Sequence, residues 1–231
     1  MKALWLYLHF PEQFLHSLEV KPHQPLAVIS ADRREVLQAN PNARQAGVQV
    51  GMSLATALTL SPALQTCPFS PARQQQLLQQ KALWAGQFSA GVYLDSPDGL
   101  WLEIATMLQL FGGEEALWSL IQEAAPASWP LQMASAEIPE QARLLARAGV
   151  GSVLDDDIQR QHKLARLDLQ ALDISHHDQW QLQRFGIHNQ AQLQRLPLSD
   201  LSRRCSPALL QQLRRINGSA RPDMPDRKSV V

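Results

Sequence analysis

The stretch Leu4-Trp5-Leu6-Tyr7-Leu8-His9-Phe10-Pro11 constrains the fold of this chain more than any other. The apolar run from Ala3 to Leu8 reads as a buried strand. Pro11 ends it, because proline has no N–H to give a ladder and restricts the residue before it. From Glu12 onward Phe14, Leu15 and Leu18 recur at helical spacing. A strand turning sharply into a helix is a common place to build a site. Yet this corner holds His9, Phe10 and Pro11 where a metal or phosphate site needs carboxylates or glycines.

With 231 residues, 45% of them hydrophobic and 18% charged, the chain can build a core and is too poor in charge for disorder. Lys+Arg and Asp+Glu balance at 21 each, which excludes a uniformly basic nucleic-acid binder but permits local basic faces. Cys67 and Cys205 are far apart and form no metal or redox spacing. Met1-Lys2 opens no signal-peptide pattern and no apolar stretch reaches membrane-span length, so a soluble cytoplasmic protein is expected.

Further along, 25–30 reads as a second strand that 35–39 can pair with. A helix is expected from Pro41 to Ala46, stopped by Gly47, and another capped by Ser53, with Leu54, Ala57, Leu58 and Leu60 on one face. Residues 68–71 read as a connector and 74–87 as a strong helix. The runs 91–95 and 100–104 alternate around Ser96-Pro97-Asp98-Gly99, where a glycine at positive φ would close a hairpin. Helices at 114–124 and 140–148 flank a short strand at 131–134. The order points to an α+β fold, its sheet centred on that hairpin with helices on one face, and 20–71 inserted after the first strand. Beyond Gly149 no strands are expected, only helices at 178–185, 190–196, 198–204 and 207–216, then a disordered tail over 218–231.

The stretch from Gln38 through Asn40-Pro41-Asn42-Ala43-Arg44-Gln45-Ala46-Gly47-Val48 to Gly51-Met52-Ser53 resembles the fingers motif of Y-family (UmuC/DinB-type) translesion DNA polymerases, roughly A-x-Y-x-A-R-x-x-G-V-x-x-G-M. The opening strand, the 96–103 hairpin and the Ala142-Arg143-Leu144-Leu145-Ala146 helix follow in that family's order. The resemblance implies a palm over 1–150 with a fingers insertion at about 20–71, a helical thumb over 151–217, and nucleotidyl transfer on two metal ions held by close carboxylates. Those carboxylates belong at the end of the first strand, in a pattern like h-D-x-D-x-F-[FY], and in an S-x-D-E hairpin. Here the first place holds His9, Phe10 and Pro11, and the second keeps Asp98 while Gly99 replaces the glutamate. A tight turn accounts for Asp98-Gly99 fully; Asp98 as a surviving metal ligand is the other reading. The family's triphosphate tyrosine is matched by Pro41 and its arginine by Arg44, which either meets a phosphate or is an ordinary exposed helix residue. No lysine stands at Ile138-Pro139-Glu140.

Within the family, the opening L-W-L-x-L-H-F-P and Leu108-Gln109-Leu110-Phe111-Gly112-Gly113 resemble the ImuB-type proteins, polymerase-like subunits without catalytic carboxylates. That likeness implies a scaffold in mutagenic DNA repair. It would bind primer–template DNA weakly and without reading sequence, beside a RecA-like ImuA-type subunit, an error-prone replicative-type polymerase and the sliding clamp. No catalytic or metal residue and no cofactor is then expected. Residues 181–193 resemble a helix-hairpin-helix whose Gly186 brings backbone N–H groups to a phosphate, with Arg184, Arg195, Arg203 and Arg204, and also Arg214 and Arg215, on the DNA side. A solvated basic helical bundle is the plainer alternative.

Two other functions stay open. One is an active polymerase whose Mg²⁺ site is rebuilt from Asp95, Asp98, Glu103 and Glu12. The other is a chain cut short after the thumb, with no role of its own. Asp155-Asp156-Asp157 reads as a solvated loop, His176-His177 as surface, and Gln194-Arg195-Leu196-Pro197-Leu198 as packing and not a clamp peptide.

Overall fold

The structure, a computed structural model, describes residues 3–19, 21, 23–153, 156–197, 201 and 205–220. In chain order its first half holds β1 (Trp5–His9), α1 (Gln13–His16), β2 (Leu26–Ile29), β3 (Val36–Ala39), α2 (Pro41–Gln45), α3 (Leu54–Leu60), β4 (Gln65–Pro68) and α4 (Pro71–Ala85). There follow β5 (Val92–Asp95), β6 (Gly99–Glu103), α5 (Leu108–Phe111), α6 (Glu114–Ala124), β7 (Gln132–Ala136) and α7 (Pro139–Arg147). The rest is helical: α8 (Asp157–Arg166), a 3₁₀ turn at Leu169–Ala171, α9 (His176–Arg184), α10 (Gln190–Gln194) and α11 (Pro207–Ile216).

The main sheet runs β5-β6-β1-β7 and every pairing in it is antiparallel. Alternation along β1 splits the core in two. Leu6 and Leu8 sit beside Leu102 and Leu100 and pack with α4 and α6 through Leu78, Ala82, Leu117 and Ile121. Trp5 and Tyr7 point the other way, beside Trp101, Ala134 and Ala136, against α7 and the helices that follow it. Both faces are therefore covered, not one as the element order implied, and this explains why β1 reads as an unbroken apolar run. Tyr7, Leu8 and Phe10 have no exposed surface.

A second sheet, β3-β2-β4, lies within the inserted segment and has its own small core around Ala27, Val36, Ala43 and Ala57. Strand β4 was not legible: Gln65-Thr66-Cys67-Pro68 is largely exposed, lacks apolar alternation, and pairs in parallel with β2 at the sheet edge. The helix capped by Ser53 forms, but Leu54 and Ala57 are its buried residues, and Leu58 and Leu60 are exposed.

Of the 155–157 acids, Asp155 lies outside the described residues, and Asp156 and Asp157 are exposed as expected but open a helix. Asp156 accepts from Gln159 N at the start of α8 in a reciprocal capping box, so helix, not loop, follows it. Asp178 does not begin α9 but sits in its first turn, fully buried; its carboxylate accepts from Ser175 Oγ, Ser206 Oγ and Ser206 N and so ties α9 to the start of α11. Those bonds hold the Asp178 carboxyl below the ordinary aspartate range despite its burial. Of the helix expected at 198–204 Leu201 alone is described, helical and buried, while Arg203, Arg204 and the tail from 221 lie outside the described residues.

Candidate functional site

Register places the corner. His9 pairs with Gly99 on one side and Gln132 on the other, and Gly99 pairs with Asp95. Because residues two apart share a face, Tyr7, His9, Gly99, Asp95 and Gln132 all present to the side covered by α7. The hairpin differs from a simple Asp-Gly turn. Its connection is Ser96-Pro97-Asp98, with a cis Ser96–Pro97 bond, and Gly99 is the first residue of β6, without positive φ. Gln13 and Gln74, both buried, donate to the Pro97 carbonyl at 2.6 and 2.9 Å, and Phe10 N donates to the Asp98 carbonyl at 2.8 Å. These bonds fix the loop that carries Asp98.

The reason for glycine at position 99 is space. A Cβ there would fall 1.8 Å from the Tyr7 hydroxyl oxygen and 2.3 Å from its Cζ. The Tyr7 side chain thus lies where any larger residue at 99 would start. Its hydroxyl donates to Asp95 Oδ2 at 2.5 Å, and burial together with the adjacent Asp95 charge raises its pKa well above the ordinary tyrosine value. It stays a neutral donor.

Helix α7 supplies two cations that sequence reasoning did not assign to the corner. Arg143 and Arg147 are four residues apart and face inward from a helix that is almost wholly buried. Arg147 Nη2 donates to Asp98 Oδ1 at 2.8 Å and lies 3.6 Å from Asp95 Oδ2, while its Nε donates to the Tyr7 hydroxyl at 3.4 Å. Arg143 Nε donates to Asp95 Oδ2 at 3.0 Å, Nη1 sits 3.4 Å from Glu140 Oε1, and Nη2 pairs with Asp173. His9 completes the set, with Nε2 3.5 Å from Asp98 Oδ2 and Nδ1 3.0 Å from Gln132 Oε1. The signal for both arginines was their spacing: they stand four apart around Leu144, Leu145 and Ala146, on a helix face that needs buried partners.

Burial alone would raise the Asp98 pKa, but the His9 contact and the charges of Arg147 and Arg143 outweigh it, and the net shift is downward. Burial would likewise lower Arg147, yet Tyr7, Asp98 and Asp95 hold it above the ordinary arginine value. Glu140 moves up, mainly through burial, although Arg143 opposes this and Gln212 Nε2 donates to it at 2.7 Å. The cleft in front of these groups, about 270 Å³, is lined by His9, Arg143, Arg147, Gln170, Leu172 and Asp173. Its two guanidiniums face three aspartates and Glu140, so it does not collect anions. Among the described residues no group of three or more His, Cys, Asp or Glu converges as a metal site. Nor do the four acids of a rebuilt site assemble. Glu103 lies at the far end of β6, paired with Trp5, roughly 14 Å along the strand from Gly99 at ~3.4 Å per residue. Glu12, at the start of α1, forms an ion pair with Arg44.

Arg44 is half exposed on α2, and this contact with Glu12 bridges the two sheets' territories. Arg184 and Arg195 are exposed at the ends of α9 and α10. Gly186, at φ +74, ends α9, but not by offering N–H groups. Its N–H bonds to Gln183 O and that of Ile187 to Leu182 O, a complete Schellman motif. A phosphate at this turn would have to be met by side chains.

A four-stranded antiparallel sheet with helices on both faces, a small inserted sheet and a trailing helical bundle define a Y-family polymerase fold. DinB from Sulfolobus solfataricus has it, with a TM-score of 0.74 at 18% identity over 96% of this chain and 69% of that one. So does the Dbh-Dpo4(243-245)-Dbh chimera, a Y-family DNA polymerase, with a TM-score of 0.73 at 16% identity, over 96% and 69%. Residues 11–153 match the impB/mucB/samB family, and the chain belongs to it, as an ImuB-type member. Protein ImuB of Caulobacter vibrioides is 32% identical over 175 residues, which are 75% of this chain and 38% of that protein. The chain thus spans about two fifths of the length of the curated relatives it matches. Among the described residues no helix is long and apolar enough to cross a membrane.

Proposed function

We propose that this chain is a non-catalytic, polymerase-like DNA-repair protein that acts in mutagenic translesion synthesis as a DNA-binding scaffold, with residues 1–150 as palm, about 20–71 as its fingers and 151–217 as thumb. One observation carries the reading: the carboxylates left at the catalytic corner already have their counter-charges. Arg147 and Arg143 hold Asp98 and Asp95. Two divalent ions would have to displace both guanidiniums from partly buried pairs and also find ligands that His9 and Gly99 do not provide. Arg44, the one residue matching the family's triphosphate contacts, is likewise paired within the chain, to Glu12.

In this reading Arg184, Arg195 and the basic helical region bind primer–template, which the likeness to Y-family DNA polymerases supports. A RecA-like subunit, an error-prone replicative-type polymerase and a sliding clamp are the protein partners the ImuB likeness implies. Primer extension on undamaged and abasic templates, with Mg²⁺ and with Mn²⁺, tests the first part. The expected result is no extension at enzyme excess, alongside measurable DNA binding in a salt titration. Metal-dependent extension lost in Asp98→Asn overturns it.

A further inference from the structure

Helix α9 exposes an aromatic side chain beside a solvent-facing arginine, and nothing in the corner's chemistry uses it. Trp180 is 54% exposed and Phe185 55%. Single exposed apolar residues are ordinary, but here two large aromatics stand within six residues. The Arg184 guanidinium lies over the Trp180 ring, 4.7 Å from its centroid, a cation–π contact at i and i+4. Between His176 and Pro197 the only acid is Asp178, and it is buried against Ser175 and Ser206. His176, His177, Arg184, His188 and Arg195 are all exposed over the same span. Arg184 and Arg195 are the permanent cations of this surface, and the exposed Asp168, whose backbone bridges to Asn189, stands beside the turn between them.

The geometry points to a stacking platform for an unpaired nucleobase, centred on Trp180 with the Arg184 guanidinium against its ring. A polyanion with flat aromatic groups is the occupant that matches both features; an acidic peptide would match the charge and leave the rings unused. A double helix would also fit less well, because its bases are stacked on each other and offer this surface only phosphates. The Schellman bonding at Gly186 and Ile187 agrees, since with those N–H groups engaged the turn holds a strand through side chains. This inference rests on the DNA-binding reading and deepens it: the helical region grips single-stranded template by its bases as well as its backbone.

The test compares two labelled oligonucleotides of equal length, oligo-dT and an all-abasic backbone, titrated by fluorescence anisotropy against the whole chain. Wild type should favour oligo-dT. Trp180→Ala should weaken oligo-dT binding roughly tenfold, the size of one lost stack, leave the abasic strand unchanged, and return towards wild type in Trp180→Phe. Circular dichroism and melting of each variant check that the half-exposed site has not disturbed folding. Equal affinities of wild type and Trp180→Ala for oligo-dT would overturn the platform while leaving DNA binding intact. So would equal weakening on both strands. Failure of wild type to bind either strand would overturn the platform, and failure to bind primer–template in the same titration would overturn the DNA-binding reading as well.

Discussion

The sheet corner and the α9–α10 turn are both rich in charged and polar side chains, and they dispose of them in opposite ways. At the corner Tyr7, His9, Asp95, Asp98, Arg143 and Arg147 spend their hydrogen-bonding capacity on one another behind a buried helix. At the turn Arg184, His188 and Arg195 face solvent, and the one acid of that span is buried elsewhere. Internally paired charge in a low-dielectric setting serves stability and is expensive to break, whereas solvated charge contributes little to folding and remains available to a ligand. The corner should therefore respond to mutation in melting experiments, and the turn in binding experiments.

The sharpest way to break this contrast is to restore the family's acid. Gly99→Glu places a Cβ inside the Tyr7 side chain and adds a charge among Asp95 and Asp98. Overpacking and like charge together should cost more than about 3 kcal/mol, read as a large drop in the urea midpoint. A variant melting like wild type would mean that Tyr7 moves aside easily and that the corner is less fixed than its bonds imply.

Next in size is Arg147→Ala. It leaves Asp98 with only His9 and takes one donor from the Tyr7 hydroxyl. Removing one partner of a fully buried pair costs about 3–5 kcal/mol; with Arg147 and Asp98 each keeping some exposure, about 2–3 kcal/mol is expected here. DNA affinity and its salt dependence should stay unchanged. A weaker complex with unaltered stability would reassign Arg147 to the ligand.

These two residues also mark how far the sequence could be read. His9, Phe10 and Pro11 stood out at once because strand, proline and helix signals are local. The loss of carboxylates was visible on the same terms, residue against residue. What replaced them was not. Tyr7 reads as one more apolar strand residue until the register sets it over Gly99, and Arg143 and Arg147 join Asp95 and Asp98 only when α7 folds back across the sheet. Asp98 does sit in the tight turn the sequence suggested, but Gly99 begins β6 without positive φ, and its reason is the space Tyr7 takes. Strand β4 escaped for a related reason: an exposed edge strand needs no apolar alternation. Local chemistry was legible at the corner, and long-range compensation was not.

A smaller effect follows from pH. Asp98 is shifted down in the folded protein, so its contribution to stability is complete above its unfolded value, about 3.9, and is lost as pH falls through the lower folded value. Glu140 is shifted up and works the other way, disfavouring the fold as pH rises through the unfolded glutamate value, about 4.3. Asp98→Asn should therefore be less stable than wild type at neutral pH, with the gap closing as pH drops below about 4. A gap constant down to pH 2 would show that shape, not charge, holds that position.

The smallest stability effect belongs to the turn, and there the comparison is sharpest. Arg195→Gln alters an exposed side chain at the end of α10 and should change folding by no more than about 0.5 kcal/mol. If Arg195 meets a phosphate, the logarithmic salt slope of duplex binding should fall by about 0.9, the counterion release of one contact, with affinity reduced most at low salt. Arg147→Ala measured in the same titration should show no change in slope, because its guanidinium already faces Asp98. A slope change in Arg147→Ala with none in Arg195→Gln would invert the assignment of the two regions. It would place the DNA against the sheet corner, where a strand could enter only by opening the pairs that now close it.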